Sequence, residues 1–89
     1  MSATGFRQPD GVAAHLEEEF VFVARVPEGP IQVLDTVAAI IWEEALAGDR
    51  AGLAVRVAER TDADASEIHG DVEEFVNELV SRGLLAENL

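Results

Sequence analysis

Residues 34–48, with the sequence LDTVAAIIWEEALAG, limit the possible folds of this chain more than any other stretch. They predict a twelve-residue helix that begins after the N-cap residue Asp35 and ends at Gly48. Apolar side chains cover most of its circumference, whereas a helix on the surface of a domain carries a single apolar stripe. We therefore expect this helix to lie at the centre of the molecule, with Trp42 in the core.

Hydrophobic patterns predict three strands before this helix and two helices after it. The strongest strand signal is the β-branched and aromatic run at residues 20–26, which lies between weaker strands at 12–16 and 31–34. The two further helices are predicted at residues 49–60 and 64–82. The predicted fold class is α+β, a winged helix-turn-helix with an N-terminal three-stranded antiparallel sheet followed by three helices.

The strand at residues 20–26 has apolar side chains on both of its faces. A strand with one solvent-exposed face normally alternates apolar with polar residues. Either other parts of the chain cover both faces, or one face or edge of the sheet is left for a partner.

Length and composition indicate a single domain in a reducing compartment. Residues 1–11 contain turn-forming residues and few apolar ones, so we expect a flexible N-terminal segment followed by one domain at 12–89. The chain has no cysteine, which excludes disulfides, thiolate chemistry and the common structural zinc sites. No apolar run is long enough for a membrane span, and the start of the chain does not have the pattern of a signal peptide. We expect a cytoplasmic, bacterial protein that does not bind membranes.

The charged and reactive side chains argue against catalysis and against binding of nucleic acids. Eighteen acidic residues face six basic ones, for a formal net charge of −12, and such a chain repels phosphate backbones. The two histidines, His15 and His69, lie in different segments, so neither a metal site nor a catalytic pair is predicted. No nucleophile elbow and no glycine-rich phosphate loop occurs. We expect no enzymatic activity, no metal and no cofactor.

A series of short motifs follows the predicted elements in a fixed order. The motifs are Leu34-Asp35-Thr36, Ala38-Ala39, Ile41-Trp42, Asp71-Val72, Phe75-Val76, Leu79 and Gly83-Leu84-Leu85. Their combination resembles the PqqD-like family over about residues 12–85. In that family a strand ends in Leu-Asn, and the aspartate found here in place of asparagine keeps the helix-capping role.

The resemblance implies a stand-alone recognition element for the precursors of ribosomally made, post-translationally modified peptides. In such elements the leader of the precursor adds as a strand to the third strand of the sheet and lies against the third helix. The implied peptide-binding residues are Ile31, Gln32, Val33 and Leu34 on the strand and Asp71, Val72, Phe75, Val76 and Leu79 on the helix. The alternative for the apolar stripe of the helix is that it forms an ordinary core.

The resemblance also implies the partners. They are a precursor peptide and a separate modifying enzyme, such as a leader peptidase, a cyclase or a radical enzyme, in lasso-peptide or PQQ-type biosynthesis. A homodimer through the sheet edge is a further possibility. The alternative function is a winged-helix transcriptional regulator that binds DNA. However, the third helix offers mainly carboxylates, with only Asn77 and Arg82 as side chains that read bases.

Overall fold

The computed structural model describes residues 5–88 of the chain. The elements in chain order are β1 (Gly5–Arg7), β2 (Val12–Leu16), β3 (Phe20–Arg25), β4 (Gln32–Asp35), α1 (Thr36–Ala47), α2 (Leu53–Thr61), α3 (Ala65–Ser81) and β5 (Ala86–Asn88). Strands β2, β3 and β4 form an antiparallel sheet in that order, so β2 and β4 are its edges. The predicted three-stranded antiparallel sheet followed by three helices is confirmed. The winged-helix arrangement stays a prediction.

Helix α1 lies at the centre of the fold, as expected. It contacts β1, β3, β4, α2 and α3. Its inward side chains are fully enclosed, with Trp42 only 1% exposed and Ala45 completely buried. Since most other elements pack directly on this helix, its burial organises the core.

The first residues of α1 are held by the sheet and not by a side-chain cap. Asp35 occupies the N-cap position, but its carboxylate accepts no capping hydrogen bond. Instead, the backbone N–H of Thr36 donates to the carbonyl oxygen of Glu19 over 3.0 Å, which continues the pairing of β3 with β4. The predicted boundary is therefore correct, whereas the expected capping role of the aspartate is wrong.

Helix α1 ends at Gly48 because an arginine side chain crosses the backbone there. The guanidinium of Arg56 donates from Nη2 to the carbonyl oxygens of Glu44 and Asp49, over 2.8 and 2.9 Å. A Cβ atom on Gly48 would lie 2.9 Å from Arg56 Cζ, so a larger residue would displace this contact. The backbone of Gly48 is extended, with φ of −163°, so its conformation does not require glycine. The close approach of the Arg56 guanidinium does.

The second helix starts later than predicted, at Leu53 and not at residue 49. The backbone of Asp49 forms an isolated bridge with Gly5, which holds it in an extended conformation. Its carboxylate also accepts a hydrogen bond from the N–H of Gly52 over 3.0 Å. Such local side-chain bonds to the backbone compete with helix formation.

Strands β1 and β5 form a second, two-stranded antiparallel sheet that joins the two ends of the described chain. Strand β1 falls within the segment at residues 1–11 that was expected to be flexible, of which residues 1–4 lie outside the described residues, and the division of the chain at residue 12 stays a prediction. Phe6 of β1 is buried, and the guanidinium of Arg50 lies over its ring, 5.3 Å from the centroid. Arg50 also bonds Glu73 over 2.8 Å and Glu87 over 2.7 Å, and the hydrogen bond to Glu73 is the main reason that the pKa of Arg50 is raised. One arginine therefore clamps the strand pair to α3.

Helix α3 begins and ends with well-formed caps. The carboxylate of Asp64 accepts the backbone N–H and the hydroxyl of Ser66, and these hydrogen bonds lower the pKa of Asp64. The helix ends before Gly83, which has a left-handed φ of 77°, and Leu84 and Leu85 return to the core as predicted. Within residues 5–88, no helix combines the length and apolarity that crossing a membrane requires.

Replacing Trp42 tests the central position of α1. We expect Trp42→Ala to lower the free energy of unfolding by roughly 3–5 kcal/mol, because it removes a large buried aromatic side chain. Urea unfolding monitored by circular dichroism measures this. The matched control is Val37→Ala on the same helix, which is half-exposed and should change stability by less than about 0.5 kcal/mol. Equal stability of the two variants would contradict the packing described.

Replacing Arg50 tests the clamp. We expect Arg50→Met to destabilise the protein by about 1–2 kcal/mol, since it removes charge-assisted hydrogen bonds that are partly exposed to solvent. Hydrogen exchange should become faster in β1 and β5 than in β3. Arg60→Met, which removes ion pairs with Glu43 and Glu44, is the control and should leave exchange in β1 and β5 unchanged.

Candidate functional site

The outer edge of β4 carries backbone groups without a partner in the described part of the chain. Strand β4 pairs only with β3, in a register that places Leu34 opposite Val21 and Val33 opposite Phe22. The backbone N–H of Thr36 donates toward β3. Because successive residues of an antiparallel strand direct their backbone groups to alternate sides, the N–H and C=O groups of Leu34 and Gln32 also point to β3. The N–H and C=O groups of Val33 therefore point away from the sheet, toward a position that another strand can occupy.

The opposite edge, on β2, is partly blocked. The hydrogen bonds from Val26 N–H to Gly11 and from Glu17 N–H to Phe20 direct the N–H and C=O groups of Val12 and Leu16 outward. The amide Nε2 of Gln8 donates to the carbonyl oxygen of Val12 over 2.7 Å. One outward acceptor of β2 is thus already used, and β4 is the more accessible of the two edges.

Side chains around β4 differ between the two faces of the sheet. Leu34 is 5% exposed and belongs to the core, whereas Ile31 and Val33 are 68% and 55% exposed on the outer face. Phe22 lies beside Val33 in the neighbouring strand, and Phe20 also reaches the outer face, with 6.4 Å between the two ring centroids. The outer face of β3 and β4 is therefore an apolar surface with no covering element among residues 5–88.

The C-terminal end of α3 reaches β4 through a polar contact. Arg82, the C-cap residue, donates from Nη1 to Oε1 of Gln32 over 3.0 Å and from Nη2 to Oε2 of Glu78 over 2.8 Å. At roughly 100° per residue, Asp71, Phe75, Glu78 and Arg82 fall within about 60° of one another on α3. Asp71 is exposed and Phe75 half-buried, so both lie on the stripe of the helix that ends at β4.

The other predicted helix residues lie deeper. Val72, Val76 and Leu79 are all buried, with exposures of 3% or less, and they pack in the main hydrophobic cluster. The interpretation as an ordinary core describes their positions in this structure. The contact of these three residues with a peptide stays a prediction. In this structure they pack beneath the exposed side of α3.

Sequence reasoning missed two parts of this surface. One is the contact between Gln32 and Arg82, which joins residues 50 positions apart and has no local signal. The other is the outer face formed by Phe20 and Phe22. Part of its signal was present, since a strand that is apolar on both faces left open whether both faces are covered or one face or edge is free for a partner.

A surface cavity of about 380 Å³ lies where β4 begins. Its lining residues come from β3, the turn before β4, the first residue of β4, and the end of α3 with the residues that follow it. They are Arg25, Pro30, Gln32, Ser81, Arg82 and Leu84. Two guanidinium groups lie at this end of the edge, and that of Arg82 is already paired with Glu78. Farther along α3 the exposed charges are negative, so the surface beside β4 has a charge gradient.

The described residues include no grouping that could hold a metal ion. His15 contacts Glu17 on the surface, and His69 is exposed on α3. Across residues 5–88, no three His, Asp or Glu side chains are arranged to hold a metal ion. What the arrangement can do chemically is hold an extended chain by backbone hydrogen bonds.

Comparisons with known proteins identify the family. A family model described as Coenzyme PQQ synthesis protein D (PqqD) matches residues 23–85, which include β4, all three helices and the cavity at the end of α3. The comparisons with curated proteins and with solved structures gave no match. The resemblance read from the motifs is thus confirmed, and because the match covers more than half of its length, the chain belongs to the PqqD family.

Proposed function

We propose that this chain is a non-catalytic peptide-binding protein that takes up the leader of a ribosomally made precursor peptide as an additional strand on β4. Membership of the PqqD family implies a part in the biosynthesis of PQQ or of related modified peptides, through peptide binding. The observation that carries the proposal is the free edge of β4, where the N–H and C=O groups of Val33 point outward. A bound leader would complete the hydrogen bonds of that edge.

Recognition on this edge has two components. Backbone hydrogen bonds to Val33 supply affinity that does not depend on the side chains of the peptide. The exposed side chains of Ile31 and Val33, together with the half-buried Phe75, supply apolar contacts that depend on the side chains of the peptide. Leu34, Val72, Val76 and Leu79 fix the positions of the strand and helix from within the core.

The protein acts by tethering. A leader held on β4 keeps the rest of the precursor close to a partner enzyme, at an effective concentration on the order of millimolar for a short flexible linker. The partner is a leader peptidase, a cyclase or a radical enzyme of a lasso-peptide or PQQ-type pathway. A homodimer formed through β4 would use the same backbone groups, so a second copy and a leader would compete.

A proline at Val33 tests strand addition. We expect Val33→Pro to weaken leader binding about tenfold or more, because it removes the outward N–H and places a ring against the incoming strand. Fluorescence anisotropy with a labelled synthetic leader, taken from a precursor encoded beside this chain, measures the affinity. Val33→Thr keeps the N–H and should bind within about twofold of the original chain.

The matched control for this variant is a proline on the other edge. Leu16 is also exposed on an edge strand with an outward N–H, so Leu16→Pro introduces the same chemical change on β2. Its leader affinity should stay close to that of the original chain. Strand addition at β4 is ruled out if Val33→Pro and Leu16→Pro bind the leader equally well.

DNA binding is the alternative, and the charge of α3 argues against it. The outward residues Glu67, Asp71 and Glu74 are exposed, and carboxylates repel phosphates. We expect no complex with duplex DNA at micromolar concentrations, even at low salt, in a gel-shift or anisotropy titration. A Kd below about 1 µM for DNA would favour a transcriptional regulator.

A further inference from the structure

The free edge of β4 lies between two surfaces of different chemistry. On the outer face, Ile31 and Val33 continue the apolar row of Phe22. On the other face, Gln32 bonds Arg82 at the end of α3. Successive side chains of any strand point to opposite faces, so a strand added to β4 places every second residue on each surface.

The helix on the inner side carries a row of carboxylates, which we call the acidic row. Its members follow one another at intervals of three or four positions and are Glu67, Asp71, Glu74 and Glu78. At roughly 100° per residue they fall within about 60° of one another, on the same side of α3 as Arg82. All four are exposed, and within residues 5–88 only Glu78 pairs with a basic side chain.

Like charges at these spacings repel each other along a helix. A positively charged group beside the row relieves that repulsion, and the excess negative charge of the chain attracts it over longer distances. The cavity at the start of β4 differs in character, because Arg25 and Arg82 line it and Arg82 is already paired with Glu78. Basic residues of a strand added to β4 are therefore expected along the acidic row and not at the cavity.

We propose that the segment bound by β4 is an amphipathic strand in which apolar residues alternate with Lys or Arg. Its apolar side chains lie on the outer face beside Val33 and Phe22, and its basic side chains face Asp71 and Glu74. This rests on the proposed function, since it assumes that a peptide adds to β4, and it specifies which class of peptide does so.

A displayed library of random twelve-residue peptides tests the inference without knowledge of the natural leader. The library is selected on the immobilised full chain and counter-selected on Val33→Pro, which has the same charge and lacks the edge N–H. We expect the recovered peptides to carry Lys or Arg at alternate positions with apolar residues between them. Recovered peptides that are neutral or acidic at those positions would overturn the inference.

Variants of the acidic row then test where the basic side chains bind. Using the most enriched peptide at low salt, we expect Asp71→Asn and Glu74→Gln each to weaken binding roughly two- to fivefold. Glu59→Gln is the control, because it removes one exposed carboxylate from α2 and changes the net charge equally. The control should change affinity by less than about 1.5-fold.

The outcomes separate the two proposals. If Val33→Pro binds the enriched peptide as well as the original chain does, strand addition itself fails. If Val33→Pro abolishes binding while Asp71→Asn and Glu74→Gln act no more strongly than Glu59→Gln, strand addition stands and the assignment of basic residues to the acidic row fails.

Discussion

The direct passage of β4 into α1 is the constraint on which the rest of the structure depends. Strand β4 ends at Asp35 and α1 begins at the next residue, without an intervening loop. The helix is anchored by Trp42 in the core, and Leu34 is buried just before the junction. The edge of β4 is therefore held in one conformation by the most buried element of the molecule. A preorganised edge loses little conformational entropy when a peptide binds, which favours affinity.

A free sheet edge is normally a liability because it invites pairing between copies of the same chain. In this protein β2 is partly protected by the side chain of Gln8, whereas β4 has no comparable protection among the described residues. The net charge of −12 supplies another safeguard, since two copies repel each other before their edges meet. The same charge does not hinder a basic peptide. Under the proposed function, the net charge thus discourages pairing between copies and leaves the edge of β4 open to a basic peptide.

Local sequence signals were sufficient for the elements that form around α1. The helix at Thr36–Ala47 and the strand at Val12–Leu16 were predicted with the observed bounds. The helix has a strong apolar pattern, whereas the strand is only weakly marked in the sequence. The pairing of β1 with β5 could not be predicted, because three-residue strands from opposite ends of the chain have no pattern of their own. The late start of α2 depends on Asp49 bridging Gly5, which is equally non-local.

The candidate site shows the same division. The edge strand and the apolar stripe of α3 were visible in the sequence, but burial separates the stripe into core residues such as Val76 and a half-buried Phe75. Periodicity identifies the face of a helix and not the depth of each residue, because depth depends on what packs above that face. The sequence alone does not show which side of α3 faces β4. The hydrogen bond from Arg82 to Gln32 identifies that side.

The arginines explain why the exposed surface is so negative. Arg50, Arg56 and Arg60 are bound to carboxylates that belong to other elements of the fold, and Arg82 pairs with Glu78. Positive charge is thus used largely to hold the fold together, and the remaining carboxylates face solvent. Such a field acts over about 10 Å at ordinary ionic strength, whereas backbone hydrogen bonds act only on contact. Under the proposed function, charge therefore governs how fast the peptide arrives, and the edge of β4 governs how long it stays.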